Sequence, residues 1–271
     1  MWASLRRRAT CESGHFHARP SVLQDGHDGA SWALAVTVAD SPSGLSPSWQ
    51  PDDQRARRRI RSMARHLQSV HGTPDLGNQA DPLSEGVYIL LTYQTDLERA
   101  RSVYTSLRAR YTTWQLVAAA PDLEDILRPS GFQKSRALLV RNLLESVRTR
   151  FGTYSLNALR DIDEADAERE LRRLPGLDTK GARCIRLYSF GHRVFPVDSN
   201  TFRIFRRYGV LKRDAIYRRR ALHNELQQLV APAYRHGLHV NLVAHGQTVC
   251  RPTAPSCGTC TLSRSCQRNL L

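Results

Sequence analysis

No stretch of the 271-residue chain comes near the ~20 apolar residues that a membrane-spanning helix requires, and no membrane partner is expected. Arg6, Arg7 and Arg8 stand close to the first residue. Neither an apolar stretch nor a small-residue cleavage site follows them, so a secretory signal is not expected. Cysteine is sparse. Six residues are too few for a disulfide scaffold of this length, and four of them crowd together, which fits a reducing, intracellular compartment. Acid is short as well, with 25 Asp and Glu against 40 Lys and Arg. The resulting charge of +15 and pI near 10.2 favour a polyanion as partner, nucleic acid before anionic membrane.

What is there begins poorly ordered. Fifteen of the first fifty residues are Gly, Ser or Pro, so residues 1–54 are expected to form a disordered tail. Only Ser31 to Val38 looks capable of order, and Cys11 is an incidental thiol. The character changes at residue 55. Ile60, Met63, Ala64 and Leu67 recur at helical spacing, and six arginines from Arg55 to Arg65 meet no acid, which makes an amphipathic helix with a basic face. Gly72 to Pro82 reads as a linker.

From Leu83 to Phe151 no strand-like alternation appears, and short helices follow one another. Val87, Ile89, Leu90 and Leu91 belong to a buried one; Leu97, Val103, Tyr104 and Leu107 to the next; Leu123 to Leu127 starts a third. After the break at Pro129-Ser130-Gly131-Phe132, Lys134 to Arg150 forms a long basic helix. Residues 161–170 hold six acids and one arginine, read as a solvated helix face. Residues 201–220 invert the balance, with eight Lys or Arg against Asp214. Phosphate contacts are expected from this segment, in which Arg203, Arg206 and Arg207 lie on one helix. Leu222, Leu226, Leu229 and Val230, then Leu238, Val240, Leu242 and Val243, give two last helices.

The chain is organised around residues 171–204. A charged helix from about Glu164 stops at Pro175-Gly176, and another starts near Thr179 with Ile185, Leu187, Tyr188 and Phe190 on its apolar side. That is a helix-hairpin-helix, whose turn and helix N-terminus suit a phosphate. Lys180 is the residue near the turn that can do chemistry. Asp198 then stands at the cap position of another helix. Further on, Cys250-x6-Cys257-x2-Cys260-x5-Cys266 gathers four thiols, a metal-site density that admits either tetrahedral zinc or a cubane iron–sulfur cluster.

Leu174-Pro175-Gly176-Leu177-Asp178-Thr179-Lys180 with Val197-Asp198 resembles the signature of the helix-hairpin-helix DNA glycosylases of the endonuclease III superfamily. The four-cysteine spacing matches that family's [4Fe–4S] loop residue for residue. The resemblance covers about residues 83–268. It implies an all-α fold of two helical domains with a cleft between them. Residues 83–197 would form a six-helix barrel with the hairpin at about 164–190. Residues 55–82 and 198–271 would form the helical domain that ends in the iron–sulfur loop.

The resemblance also implies base-excision repair. Lys180 would attack C1′ and form a Schiff base, with β-elimination to follow, and Asp198 would take the lysine's proton or stabilise charge on the sugar. Burial beside basic residues is expected to depress the lysine pKa. Tyr93-Gln94-Thr95-Asp96 resembles the loop whose glutamine fills the hole left by an extruded base. Gly131-Phe132 resembles the turn that wedges into the opposite strand. Gly176, Asp178, Gly181, Arg203 and Arg207 are the further DNA-binding candidates; Cys250, Cys257, Cys260 and Cys266 are the metal ligands.

The expected partner is double-stranded DNA with a damaged or modified base, bound by a monomer in the cytoplasm at the nucleoid. Departures are Asp178 at the second hairpin glycine, Gly181 for the usual Thr, and Asn200 where many bacterial members carry His. Phe195 to Asn200 looks closer to the plant 5-methylcytosine glycosylases, which suggests a pyrimidine. Two other readings stand beside this one, a catalytically silent DNA-binding module and a monofunctional glycosylase that uses only Asp198.

Overall fold

Six polar side chains start six helices. Asp81, Asp96, Asp163, Asp178 and Asp198 each accept a backbone N–H in the first turn that follows, and Thr113 does the same more loosely. A cap of this kind stabilises a helix by about 1 kcal/mol, and five of the chain's 25 acids serve in this way. The computed structural model describes residues 53–217 and 220–268. The expected tail up to residue 52, with Cys11 and Ser31 to Val38, lies outside the described residues, as do Arg218, Arg219 and residues 269–271.

The described residues form eleven α-helices and contain no strand. They are α1 (Asp53–His71), α2 (Pro82–Thr92), α3 (Leu97–Arg110), α4 (Trp114–Ala119), α5 (Leu123–Leu127), α6 (Gln133–Phe151), α7 (Glu164–Arg172), α8 (Thr179–Tyr188), α9 (Ser199–Tyr208), α10 (Arg220–Leu229) and α11 (Arg235–Thr248). Helix α4 has no counterpart in the sequence reading, because six residues are too few to show a period. The described residues belong to one compact unit.

Two apolar clusters hold it together. The first spans α2 to α8 and includes Leu83, Val87, Leu90, Leu107, Val140, Leu144, Leu171 and Ile185. The second joins Ile60, Met63 and Leu67 of α1 to Phe195, Phe205, Leu226 and Leu242. Between them a small third cluster sets Leu76 against Val240 and Val243 of α11, with Leu97 and Tyr188 packed on it.

The hairpin helices are also pinned by charge. Glu164 and Glu168 of α7 both pair with Arg186 of α8, and Glu168 also takes Arg183 at 3.3 Å. Arg183 and Arg186 are buried. The acidic face of α7 is therefore not simply solvated, as its composition suggests. Part of it neutralises two buried guanidinium groups, which would otherwise cost about 3–5 kcal/mol each to leave unpaired.

Candidate active site

The turn between α7 and α8 is built by burying Leu174 and Leu177 on either side of Pro175-Gly176. Gly176 has φ +79°, and a Cβ there would sit 2.7 Å from Leu90 and 3.0 Å from Leu139, so both backbone and space demand glycine. Asp178 has an extended backbone, φ −84°, so its tolerance of left-handed geometry is not used. Its carboxylate instead accepts the Gly181 N–H at 2.8 Å. The sequence assigns this hairpin to a phosphate. In the structure that N–H is occupied, and an exposed negative charge stands at the position.

Lys180 lies half-buried on the first turn of α8, its ammonium 5.4 Å from the centre of the Tyr93 ring. Tyr93 in turn donates its hydroxyl to Gly176 O at 3.0 Å, which ties the end of α2 to the hairpin. Burial pushes the lysine pKa down, but Cys184, Asp198, Asp178 and Glu85 outweigh it and raise it above the ordinary value. The expected depression is thus reversed. The neighbours that matter are acidic groups, and the arginines nearby in sequence turn elsewhere.

Asp198 is buried at the N-terminus of α9, accepting Thr201 N–H and the Asn200 amide, each at 2.7 Å. Burial would raise its pKa. His239, the two hydrogen bonds and Lys180 together bring it below the usual carboxylate value. Burial holds His239 itself at about 4, so the imidazole is neutral near pH 7, and the hydrogen bonds and the lysine keep Asp198 ionised. Asn200 is oriented by Arg203, whose Nη2 donates to its Oδ1 at 2.9 Å. Gly246 makes room for Asn200, since a Cβ there would come within 2.6 Å of it.

Gln94 and Phe132 share an unusual backbone. Both have positive φ, 53° and 51°, and both are exposed, Phe132 by 64%. Phe132 is thereby removed from the core, where an aromatic of its kind would ordinarily pack. A left-handed non-glycine residue costs about 1–3 kcal/mol and persists only where its surroundings impose it.

The cysteine loop follows α11. Cys250, Cys257, Cys260 and Cys266 are half-buried free thiols, and among the described residues no three metal-ligating side chains are gathered closely enough to hold an ion. The sulfurs nevertheless attract donors. Arg207 Nη1 donates to Cys250 Sγ at 3.5 Å and the Arg268 N–H to Cys266 Sγ at 3.4 Å, while the Cys266 thiol donates to Arg207 O at 3.3 Å and Cys260 Sγ lies 3.5 Å from His245 Nε2. Burial, with neighbouring cysteines adding to it, raises the Cys260 and Cys266 thiols.

Arg203 and Arg207 are where the sequence reading is corrected. Arg203 donates to Cys250 O and Gly246 O, each at 2.9 Å. Arg207 is buried and donates to Arg251 O at 2.6 Å and Pro252 O at 2.8 Å. Their guanidinium groups brace the cysteine loop from within and do not present themselves to a phosphate.

Residues 87–232 match the model of the HhH-GPD superfamily base excision DNA repair protein, more than half of the chain. The chain belongs to this superfamily. It is 24% identical over 188 residues to endonuclease III of Synechocystis sp., covering 68% of this chain and 80% of that protein. It is 24% identical over 171 residues to the DNA glycosylase/AP lyase ROS1 of Arabidopsis thaliana, covering 57% of this chain and 12% of ROS1. In fold it is similar to a non-covalent endonuclease III–DNA complex, with TM-score 0.68 at 19% identity over 81% of this chain and 97% of that one. The chain spans 55% of the first curated relative it matches and 21% or less of the next five.

For this HhH-GPD protein, sequence reasoning gave no role to Tyr93, Glu85 and His239. Tyr93 had a signal, since it adjoins Gln94 and is an aromatic at a helix end. Glu85 also had one, an acid inside the run Leu83 to Leu91; it is fully buried, accepts Asn78 Nδ2 at 2.6 Å and Gln79 N–H at 2.7 Å, and is pushed up to about 8 by burial. His239, an imidazole within an apolar helix, had none.

Proposed function

We propose that the chain is a base-excision DNA glycosylase that removes a damaged or modified pyrimidine from duplex DNA and then cleaves at the abasic site. The observation that carries this reading is the placement of Lys180 on the first turn of α8, beside the Tyr93 ring, and of Asp198 buried at the N-terminus of α9, where each charge favours the charged form of the other. To reach C1′ the base must leave the duplex. Lys180 Nζ, once neutral, bonds to C1′ as the C1′–base bond breaks and the base departs with a proton. The sugar ring opens to a Schiff base, and loss of the C2′ proton expels the 3′ phosphate.

The hydrogen bonds to Asp198 and its depressed pKa favour the second of its two expected roles. A carboxylate already held by two N–H donors is a poor proton acceptor, so it acts as a fixed anion beside the positive charge that develops on the sugar. The lysine's proton must therefore leave to a substrate group or to water. A raised lysine pKa also supports a second reading, in which water attacks and Asp198 alone assists. Pyrimidine preference is supported by the resemblance of the Phe195 to Asn200 stretch to the plant 5-methylcytosine glycosylases.

The four cysteines are proposed to hold a [4Fe–4S] cluster. Two N–H donors, from Arg207 to Cys250 and from Arg268 to Cys266, suit thiolate ligands, which accept such bonds. The cluster would brace the loop, and no chemical step passes through it. A brown protein with about four irons and four acid-labile sulfides per chain is expected; stoichiometric zinc without sulfide would refute the assignment. The function itself is tested with duplexes that each carry one lesion. Wild type should release the base and nick at least one pyrimidine lesion, whereas Lys180→Gln should nick none.

A further inference from the structure

Gln94 and Phe132 lie on different turns, yet one buried side chain holds both. Arg136, on the first turn of α6 and 5% exposed, spends its whole fork on backbone and hydroxyl oxygens. Nη1 donates to Leu90 O and Leu91 O at 2.7 Å each. Nη2 donates to Tyr93 O at 2.8 Å, Thr95 Oγ1 at 3.1 Å and Ser130 O at 3.2 Å, and Nε to Gly131 O at 3.1 Å. Thr95 completes the link by donating its hydroxyl to Ser130 O at 2.9 Å.

The contacts fall on the two residues flanking Gln94, on the two preceding Phe132, and on the last carbonyls of α2, which have no partner within their own helix. A lysine could not replace this arrangement, because one ammonium cannot present a planar fork to both turns. The guanidinium is enclosed by these partners and so is not a phosphate ligand. It is also the feature that can impose a left-handed backbone on both exposed residues at once.

We propose that Arg136 is a positioning residue that makes the two turns one rigid unit, so that Gln94 and Phe132 enter a lesion-bearing duplex together. The inference rests on the glycosylase reading above. Its test is equilibrium binding to two duplexes, one with a tetrahydrofuran abasic analogue and one intact. Arg136→Gln should lower the preference for the abasic duplex on the order of ten-fold while leaving affinity for the intact duplex within about two-fold. In wild type, Gln94→Ala and Phe132→Ala should together cost less than the sum of their separate losses; in the Arg136→Gln background they should add.

Should Arg136→Gln fail to fold, Thr95→Val carries the same test, since it removes only the hydroxyl bridge and should move selectivity in the same direction. Additive losses in wild type, or an equal loss of both duplexes on Arg136→Gln, would overturn the inference. A wild-type protein that binds both duplexes alike would instead contradict the glycosylase reading, and the inference would fall with it.

Discussion

Asp178 performs two tasks of opposite sign. Its carboxylate caps α8 through the Gly181 N–H, and its charge stands where a hairpin would meet phosphate while raising the pKa of Lys180. Asp178→Asn separates the two, because asparagine caps about as well as aspartate. Unfolding stability should change by less than about 0.5 kcal/mol, while DNA affinity at low salt rises several-fold and the lysine's pKa falls. Titration calorimetry with an intact duplex measures the first effect on binding, and equal affinity in both proteins would show that the hairpin does not approach a phosphate.

Glu85 gives a pH signature. Its folded pKa of about 8 lies above the ordinary 4.5, so its contribution to stability is full below the unfolded value and is lost as pH rises through the folded one. Glu85→Gln does not titrate. The urea midpoint of the variant relative to wild type should therefore rise from pH 5 to pH 9. Each pH unit between the unfolded and folded values is worth about 1.4 kcal/mol. A constant difference across that range would show that Glu85 is ionised in the fold.

At the scale of elements, the caps and the hairpin were legible because their chemistry is local. Asp198 ahead of α9 and Pro175-Gly176 between α7 and α8 announce themselves within four residues of chain. Arginine was not legible in this way. Arg203 and Arg207 on one helix look identical to a phosphate-binding pair in sequence, and only the fold shows that loop carbonyls have claimed them. The same ambiguity hid Arg136, whose six acceptors come from two distant turns and a helix end. The positive φ of Gln94 and Phe132 was invisible for a related reason, since neither is a glycine. Gly176→Ala tests the hairpin as an element. Positive φ and a 2.7 Å approach to Leu90 should together cost about 1–3 kcal/mol in urea unfolding. No change in midpoint would mean that the turn rearranges freely.

For the whole molecule, the charge of +15 overstates what DNA can feel, because many guanidinium groups point inward. Arg58, Arg61 and Arg65 of α1 are exposed and lie on one helical stripe. Binding to an intact duplex should weaken with salt at a log–log slope of magnitude ~3 or more, and replacing the three by glutamine should reduce it by about one for each that meets a phosphate. An unchanged slope would place the DNA elsewhere.

The central claim is that Lys180 is the nucleophile and Asp198 the fixed anion beside it. Borohydride reduction on a duplex with a preformed abasic site tests it most directly, because only a Schiff base becomes a stable protein–DNA bond. Wild type should be trapped and Lys180→Gln should not. Asp198→Asn should still be trapped slowly, while its release of an intact lesion base falls by ~10²–10⁴-fold. Trapping of Lys180→Gln at the wild-type rate, or base release by a wild type that is never trapped, would contradict the account.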